Sequence, residues 1–203
     1  MRKYAYLVMV LVLGMSLSML TGCGGTKVER VDSGEMIDLS GNWNDTDSQL
    51  VSQEMISDSL NRPWVSDFRT EKGKAPTVIV GTVKNRSDEH INTETFVKDL
   101  ERELINSGKV KFVASREQRG EIRDEKSDQA DFADPATIKA MGKEKGADFI
   151  LIGQINTIMD EAGKQAVKYY QIELEMTSIL TNEKVWIGQK KIKKLVTRSK
   201  VKP

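Results

Sequence analysis

The residue in this sequence with the clearest chemistry is its single cysteine. Cys23 follows an apolar run, 4–20, which itself follows the basic residues Arg2 and Lys3. A positive start, a short apolar segment and a small-residue cleavage site are typical of a secretory signal. The residues at the cleavage site are Leu20, Thr21 and Gly22. The pattern therefore predicts export of the chain and cleavage immediately before Cys23.

The run Leu20-Thr21-Gly22-Cys23 resembles the lipobox of bacterial lipoproteins. The resemblance implies a diacylglycerol thioether on Cys23 and a fatty acyl chain such as palmitate on the new amino group. Each buried methylene contributes about 0.8 kcal/mol to membrane binding, and two or more chains give stable anchoring. We therefore expect residues 1–22 to be a signal peptide and Cys23 to attach the rest of the chain to a lipid bilayer.

Two other interpretations of this region stay open from the residues alone. The run 4–20 is a candidate transmembrane helix, but spanning takes about 20 apolar residues, and this run is interrupted by Gly14, Ser16 and Ser18. Cys23 is a candidate buried thiol, but its glycine-rich surroundings offer no apolar cover. A lipidated Cys23 leaves no thiol for a disulfide, so the domain must be stabilised by its core alone.

The other reactive residue types do not form a recognisable catalytic or metal centre. His90, the only histidine, lies in a polar loop, whereas nucleophilic catalysis needs a base beside the nucleophile. Glu173 and Glu175 are about 7 Å apart on one strand face, as in a glycosidase pair, but no apolar pocket is predicted beside them. No zinc-ligand spacing or phosphate-binding glycine loop is present. We expect no enzyme activity, no metal and no cofactor.

The net charge of the chain limits its partners, and its length limits the number of domains. The 31 basic and 30 acidic residues nearly cancel, whereas a nucleic-acid-binding domain usually carries a basic excess. We therefore expect no nucleic-acid partner, and no small-molecule substrate. The sequence predicts a lipidated cysteine and short flexible tether at 23–40, a single globular domain at 41–196 and a basic tail at 197–203. This length can bury a sizeable core.

The first half of the domain shows helical and strand patterns in alternation. Thr46 and Gln49 fit a capping box, after which an apolar stripe consists of Val51, Met55, Ile56 and Leu60. Arg62-Pro63 is expected to end this helix. Strands are predicted at 77–83 and 109–114, with a turn at 85–88. Further helices are predicted from Thr93, with an apolar face at Phe96, Val97, Leu100 and Leu104, and from Asp134 to Gly146. The polar stretch 116–129 between them is predicted to be a short helix that runs into a loop.

The second half of the domain shows only strand patterns. The nearly continuous apolar run 147–158 is typical of a central strand that is buried on both faces, with a turn at 160–163. From 170 to 176, apolar and polar residues alternate, which indicates an antiparallel strand with one solvent face. A short connection at 181–183 leads to the last strand. The predicted fold is α+β, a sandwich-like arrangement in which helices flank a mixed sheet of four to five strands that ends in an antiparallel meander.

The C-terminal region is basic and contains no acidic residue from Lys190 onward. It is either a solvated terminus or a surface that binds anionic lipid headgroups or an acidic partner. Trp186 is either a core residue or an exposed anchor of an interface. The candidate partner-binding residues are Trp186, Lys190 and Lys191.

Three stretches resemble the LpoB family of penicillin-binding protein activators: 106–115, 140–155 and 171–190. They contain the runs Ser-Gly-Lys-Val-Lys-Phe-Val at 107–113, Lys-Gly-Ala-Asp-Phe-Ile-Leu at 145–151 and Thr-Asn-Glu-Lys-Val-Trp-Ile-Gly at 181–188. The resemblance implies a fold similar to the N-terminal domain of TolB. It also implies an outer-membrane lipoprotein, facing the periplasm, that stimulates a bifunctional peptidoglycan synthase of the inner membrane.

Two further features of the sequence concern the membrane that holds the anchor and the reach of the tether. Gly24 follows Cys23 where an inner-membrane retention Asp stands in enteric bacteria, which favours the outer membrane. The tether is short compared with the long tethers of enterobacterial members, because its 17 residues from 24 to 40 reach at most about 60 Å. The alternative function is a structural or secretion-related envelope lipoprotein, as a monomer or an oligomer, since curli-export lipoproteins resemble the same TolB-like fold.

Overall fold

The computed structural model describes residues 28–32, 34–134, 136 and 144–198. The chain divides into two compact units, 1–35 and 36–203. In the first unit, the described residues include a turn in which the amide of Glu35 donates to the carbonyl oxygen of Asp32 at 3.1 Å. The predicted signal peptide, Cys23 and most of the predicted helix from Asp134 to Gly146 lie outside the described residues, as do the last five residues, 199–203.

Four helices and five strands make up the described part of the second unit. The helices are α1 (Asp45–Leu60), α2 (Trp64–Lys72), α3 (Thr93–Asn106) and α4 (Arg116–Phe132). The strands are β1 (Thr77–Arg86), β2 (Lys111–Phe112), β3 (Phe149–Ala162), β4 (Gln165–Ser178) and β5 (Lys184–Thr197).

The strands form one mixed sheet in the order β2-β1-β3-β4-β5. β1 pairs in parallel with both β2 and β3, and the pairs β3–β4 and β4–β5 are antiparallel. The predicted α+β fold with a terminal meander is therefore confirmed. The predicted turn at 160–163 is wrong in position, because β3 runs on to Ala162 and the chain turns at Gly163 and Lys164. Gly163 has a φ of 60°, which glycine adopts at little cost.

The helical starts differ from the prediction in ways that capping chemistry explains. The side chain of Asn44 accepts from the amide of Asp47, and the Asp47 carboxylate accepts from the amide of Asn44. This capping box replaces the predicted one at Thr46, because asparagine is a strong N-cap residue and aspartate can act as the third-position acceptor. Pro63 ends α1 as predicted but also precedes a second helix that the sequence did not suggest.

One face of the sheet is packed against helices and forms the core. A row of side chains crosses this face from β1 to β5 and consists of Val80, Leu151, Met176 and Trp186. The predicted stripe of α1 is buried, and three of the four predicted α3 residues are fully buried, with Val97 packed at the edge. α1 contacts both α3 and β5, and α3 contacts β1. Periodicity alone therefore located most of the core.

Three predicted elements differ in extent or burial. β3 is central in the sheet, but it is not buried on both faces, because Ile152 is 37% exposed and Ile158 is 67% exposed. The predicted strand at 109–114 shrinks to Lys111–Phe112. α4 is longer than the predicted short helix, because it also includes the residues predicted as a loop, and it has no buried residue among those described. A helix of this kind is stabilised by its caps and local pairs and not by core packing.

Candidate interaction surface

The sheet face opposite the core is a surface we call the open face. Because β3, β4 and β5 pair without offset over most of their length, their side chains form rows across it. The rows, read from β3 to β5, are Ile152-Glu175-Ile187, Gln154-Glu173-Gln189, Asn156-Gln171-Lys191, Ile158-Tyr169-Lys193 and Asp160-Val167-Leu195. The three strands of the meander thus present fifteen side chains in a fixed array.

The centre of the open face is a hydrogen-bonded polar band around Glu173. Its carboxylate accepts from the side-chain amides of Gln154 at 2.9 Å, Gln171 at 2.6 Å and Gln189 at 3.3 Å. The bonds from Gln154 and Gln171 lower the pKa of Glu173. A general acid needs a raised pKa, so Glu173 is unsuited to the acid role in a glycosidase pair. The band instead holds a fixed negative charge at the middle of the sheet.

Apolar side chains lie at both ends of this polar band. On one side Ile152 and Ile187 are 37% and 62% exposed, and on the other Ile158 and Leu195 are each 67% exposed. Isolated exposed apolar residues are normal on protein surfaces. These four share one rigid face, which is the arrangement expected of a surface that is covered by a partner.

Two lysines of the open face differ from the lysines on the core side in their ion pairing. Lys191 and Lys193 are exposed and form no ion pair with any described residue. On the core side, the lysines of β4 and β5 are each paired with a carboxylate: Lys168 with Glu89, Lys190 with Glu54 and Lys194 with Asp47. Among the described residues of β5, the lysines without an ion pair therefore lie on the open face.

The structure separates the three predicted partner-binding residues. Trp186 is 6% exposed, so it is a core residue and not an exposed anchor, and its indole N–H donates to Asp58 Oδ2 at 2.8 Å. Hydrogen bonds from Trp186 and Arg62 lower the pKa of Asp58. Lys190 shares the core-side face with Trp186, because residues an even number apart point the same way in a strand. Lys191 remains as the candidate that faces solvent on the open face.

A polar cluster that the sequence did not suggest fastens the N-terminal segment, residues 38–47, to the end of the sheet. The Glu89 carboxylate accepts from Lys168 Nζ at 2.7 Å, from the Tyr170 hydroxyl at 2.8 Å and from the amide of Trp43 at 3.1 Å. Burial opposes ionisation of Glu89, but these donors outweigh it and lower its pKa. The Trp43 ring packs edge-on against Phe96, with ring centroids 5.8 Å apart.

A second cluster fastens the same N-terminal segment to β5. Lys194 Nζ lies 2.7 Å from Asp38 Oδ1, 2.6 Å from Asp47 Oδ2 and 3.1 Å from the carbonyl oxygen of Asn42. Burial alone would lower the pKa of Lys194, but the bonds to Asp38 and Asp47 raise it above its ordinary value. Lys194 belongs to the region predicted as a solvated terminus, and that interpretation is wrong for the residues within β5.

The described residues offer little for catalysis, metal binding or membrane crossing. His90 is exposed in its loop. Within the ranges the structure describes, no group of three or more histidine, cysteine, aspartate or glutamate residues could hold a metal ion. The helices in those same ranges are too short or too polar to span a bilayer. The arrangement is that of a rigid sheet that presents a surface.

Comparison with known proteins gives one family match. The model of the family described as peptidoglycan-synthase activator LpoB matches residues 47–192. Among solved structures, the LpoB C-terminal domain from Salmonella enterica is 16% identical, with 72% of this chain and 98% of that chain covered and a TM-score of 0.43. E. coli LpoB, solved by NMR, is 15% identical, with 88% and 85% covered and a TM-score of 0.41. No curated protein sequence matches significantly.

Proposed function

The chain belongs to the family of peptidoglycan-synthase activators LpoB, and we propose that it is a lipid-anchored protein of the cell envelope that binds and activates a bifunctional peptidoglycan synthase, a class A penicillin-binding protein. The observation that carries this proposal is the extent of the family match. Residues 47–192 run from the first turn of α1 into β5. They include β1 to β4, most of β5 and all of the described helices except the first two residues of α1. The proposed role is regulation of an enzyme and not catalysis.

Activation follows from linkage between binding and conformation. A ligand shifts a two-state equilibrium only by the difference between its affinities for the two states. An activator must therefore bind the active state of the synthase more tightly than the resting state, and a tenfold difference corresponds to about 1.4 kcal/mol. A rigid sheet face suits this task, since little binding free energy is lost to ordering the activator itself.

The open face is the surface we assign to the synthase. Lys191 and Lys193 supply unpaired positive charge, and Ile158 and Leu195 supply apolar area beside it. Complementary charge accelerates association and fixes orientation, while buried apolar side chains supply most of the affinity. We therefore expect the synthase to place acidic groups opposite Lys191 and Lys193 and apolar groups opposite Ile158 and Leu195.

Anchoring limits where the synthase can be reached. In our proposal Cys23 is lipidated and sits in the outer membrane, with the domain facing the periplasm. Asp38, inside the predicted tether, is bonded to Lys194 and to the side chain of Asn44. The stretch between Cys23 and Asp38 has fourteen residues, 24–37, and a chain of that length reaches about 50 Å at most. The synthase must present its docking surface within that distance plus the size of the domain.

In-cell crosslinking followed by affinity purification of the full-length protein tests the proposal. The wild type is compared with a Lys191→Glu/Lys193→Glu variant and with a matched reversal on the opposite edge, Lys111→Glu/Arg116→Glu. We expect the wild type and the matched control to recover a class A synthase, and the open-face variant to recover at least tenfold less. Recovery of only self-assemblies or secretion components would overturn the proposed function and favour the structural alternative.

A further inference from the structure

A groove with a volume of 810 Å³ lies between α2 and the loop that joins β4 to β5. Its floor is apolar and aromatic, formed by Trp64, Phe68, Phe149 and Val185. The Phe149 ring packs edge-on against Trp64 and Phe68, with centroid distances of 4.9 and 5.3 Å. None of the groove's lining residues belongs to the open face, so the groove is a separate surface at the Ser178 end of the hairpin.

The loop beside the groove holds two large apolar side chains in solvent. Leu180 is 84% exposed and Ile179 is 48% exposed. The loop backbone is fixed, since the amide of Ile179 donates to the carbonyl oxygen of Asp148 at 3.0 Å and the amide of Ser178 to that of Glu183 at 2.8 Å. Exposed apolar side chains on a fixed loop beside an apolar groove mark a surface that binds another molecule.

The rim of the groove is acidic. Among the described residues, the charged ones that line it are the acidic Asp67, Glu71, Asp148 and Glu183 and the basic Lys72. Glu71 and Lys72 pair at 2.7 Å, but both side chains are largely exposed, so this pair contributes little. Lys74, a residue of this same chain, shows how a basic side chain can bind at the rim. Its ammonium lies 5.7 Å from the Phe68 ring centroid and 3.5 Å from Asp148 Oδ1, a position in which ring and carboxylate both attract a cation.

We propose that this groove docks a segment of a partner protein in which apolar or aromatic side chains are flanked by lysine or arginine. The apolar side chains lie on the floor formed by Trp64, Phe68 and Phe149 and against Leu180. The basic side chains face Asp67 and Glu71, one turn apart on α2. Charge complementarity selects this occupant, because a lipid acyl chain would leave the acidic rim without a counter-charge. The groove thus gives the domain a second docking surface with a charge opposite to that of Lys191 and Lys193.

Peptide binding to the full-length chain in nanodiscs of zwitterionic lipid tests the proposal. The probes are two labelled pentapeptides, Lys-Leu-Phe-Leu-Lys and Glu-Leu-Phe-Leu-Glu, measured by fluorescence anisotropy. A benzophenone on each probe allows photo-crosslinking and mapping of the contact site. The groove variants are Asp67→Lys/Glu71→Lys and Leu180→Ser. Their matched controls are Glu121→Lys/Glu125→Lys, with the same spacing on α4, and Leu39→Ser, an exposed leucine that belongs to neither surface.

We expect the basic probe to bind at least tenfold more tightly than the acidic probe and to crosslink to α2 or the 178–185 loop. Each groove variant should lower its affinity at least fivefold, while the controls stay within twofold of wild type. Equal affinity for both probes would overturn the proposal. So would displacement of the probe by a fatty acid without charge dependence, which indicates an acyl chain, or crosslinks confined to the open face.

Discussion

Replacement of Glu89 by glutamine tests how firmly the N-terminal segment is fastened to the sheet. The Glu89 side chain is 14% exposed and that of its partner Lys168 is 15% exposed. The substitution removes the charge but keeps the size, so Lys168 loses its counter-charge in a nearly buried position. The Tyr170 hydroxyl and the amide of Trp43 then donate to a neutral amide oxygen instead of a carboxylate.

The expected cost follows from the type of bond that is lost. Hydrogen bonds to charged groups contribute about 1.5–3 kcal/mol each, and a glutamine carbonyl still accepts one or two of the three that Glu89 accepts. We expect Glu89→Gln to lower the free energy of unfolding by about 2–3 kcal/mol. For a domain of this size, about 2–4 °C per kcal/mol gives a fall in melting temperature of about 4–12 °C.

The pH dependence of this loss gives an independent check. The pKa of Glu89 lies below its ordinary value of 4.5 in the folded state. The carboxylate therefore stabilises the fold fully above pH 4.5, and this contribution is lost as the pH falls through the folded-state pKa. The difference between wild type and Glu89→Gln should be constant near neutrality and shrink at acidic pH.

Urea unfolding followed by circular dichroism at several pH values measures both quantities. Glu121→Gln, at an exposed position of α4, is the matched control and should change stability by less than about 0.5 kcal/mol. A second variant, Lys168→Met, should show strong coupling to Glu89→Gln in a double-mutant cycle. A loss of less than about 0.5 kcal/mol for Glu89→Gln, or a difference that is independent of pH, would refute the reasoning.

Five further substitutions, at four positions, test other parts of the fold. Lys194→Met leaves the buried carboxylate of Asp47 without its cation, so we expect a loss of about 2–4 kcal/mol and faster proteolysis within 36–44. Trp186→Ala should cost about 3–5 kcal/mol as a core truncation, while Trp186→Phe, which loses mainly the bond to Asp58, should cost less than half as much in thermal unfolding. A Cβ at Gly153 would overlap the Glu173 carbonyl, whereas one at Gly120 meets nothing. Gly153→Ala should therefore destabilise by about 1–3 kcal/mol, and Gly120→Ala, within α4, should stabilise by about 0.5–1 kcal/mol.

Periodicity predicted the elements that have one apolar face. The alternation in β4 and the apolar stripe of α1 each encode one buried side, and both were placed correctly from the sequence. β3 was misjudged because a continuous apolar run does not show which of its faces a helix will cover. Ile152 and Ile158 are as apolar as Leu151 and Ile155, yet the first two lie on the open face.

The candidate site was only partly predictable from the sequence. Whether each lysine is paired or exposed depends on which face of the strand it lies on and on carboxylates that are far away in the sequence. Lys190 and Lys191 are adjacent, but one pairs with Glu54 on the core side and the other faces solvent. The even spacing of Trp186, Lys190 and Lys194 could have placed all three on one face. The acidic partner Asp47 lies 147 positions from Lys194, and no local pattern links residues so far apart.

The most direct test of the proposed function is the rate of glycan polymerisation by the class A synthase of the same cell. The purified synthase and the full-length protein are reconstituted with lipid-linked precursor, and polymerisation is followed as the protein is added. We predict a saturable, several-fold increase in rate with wild type, and a requirement for higher concentrations with Lys191→Glu/Lys193→Glu. An unchanged rate at concentrations that saturate binding would contradict the role as an activator.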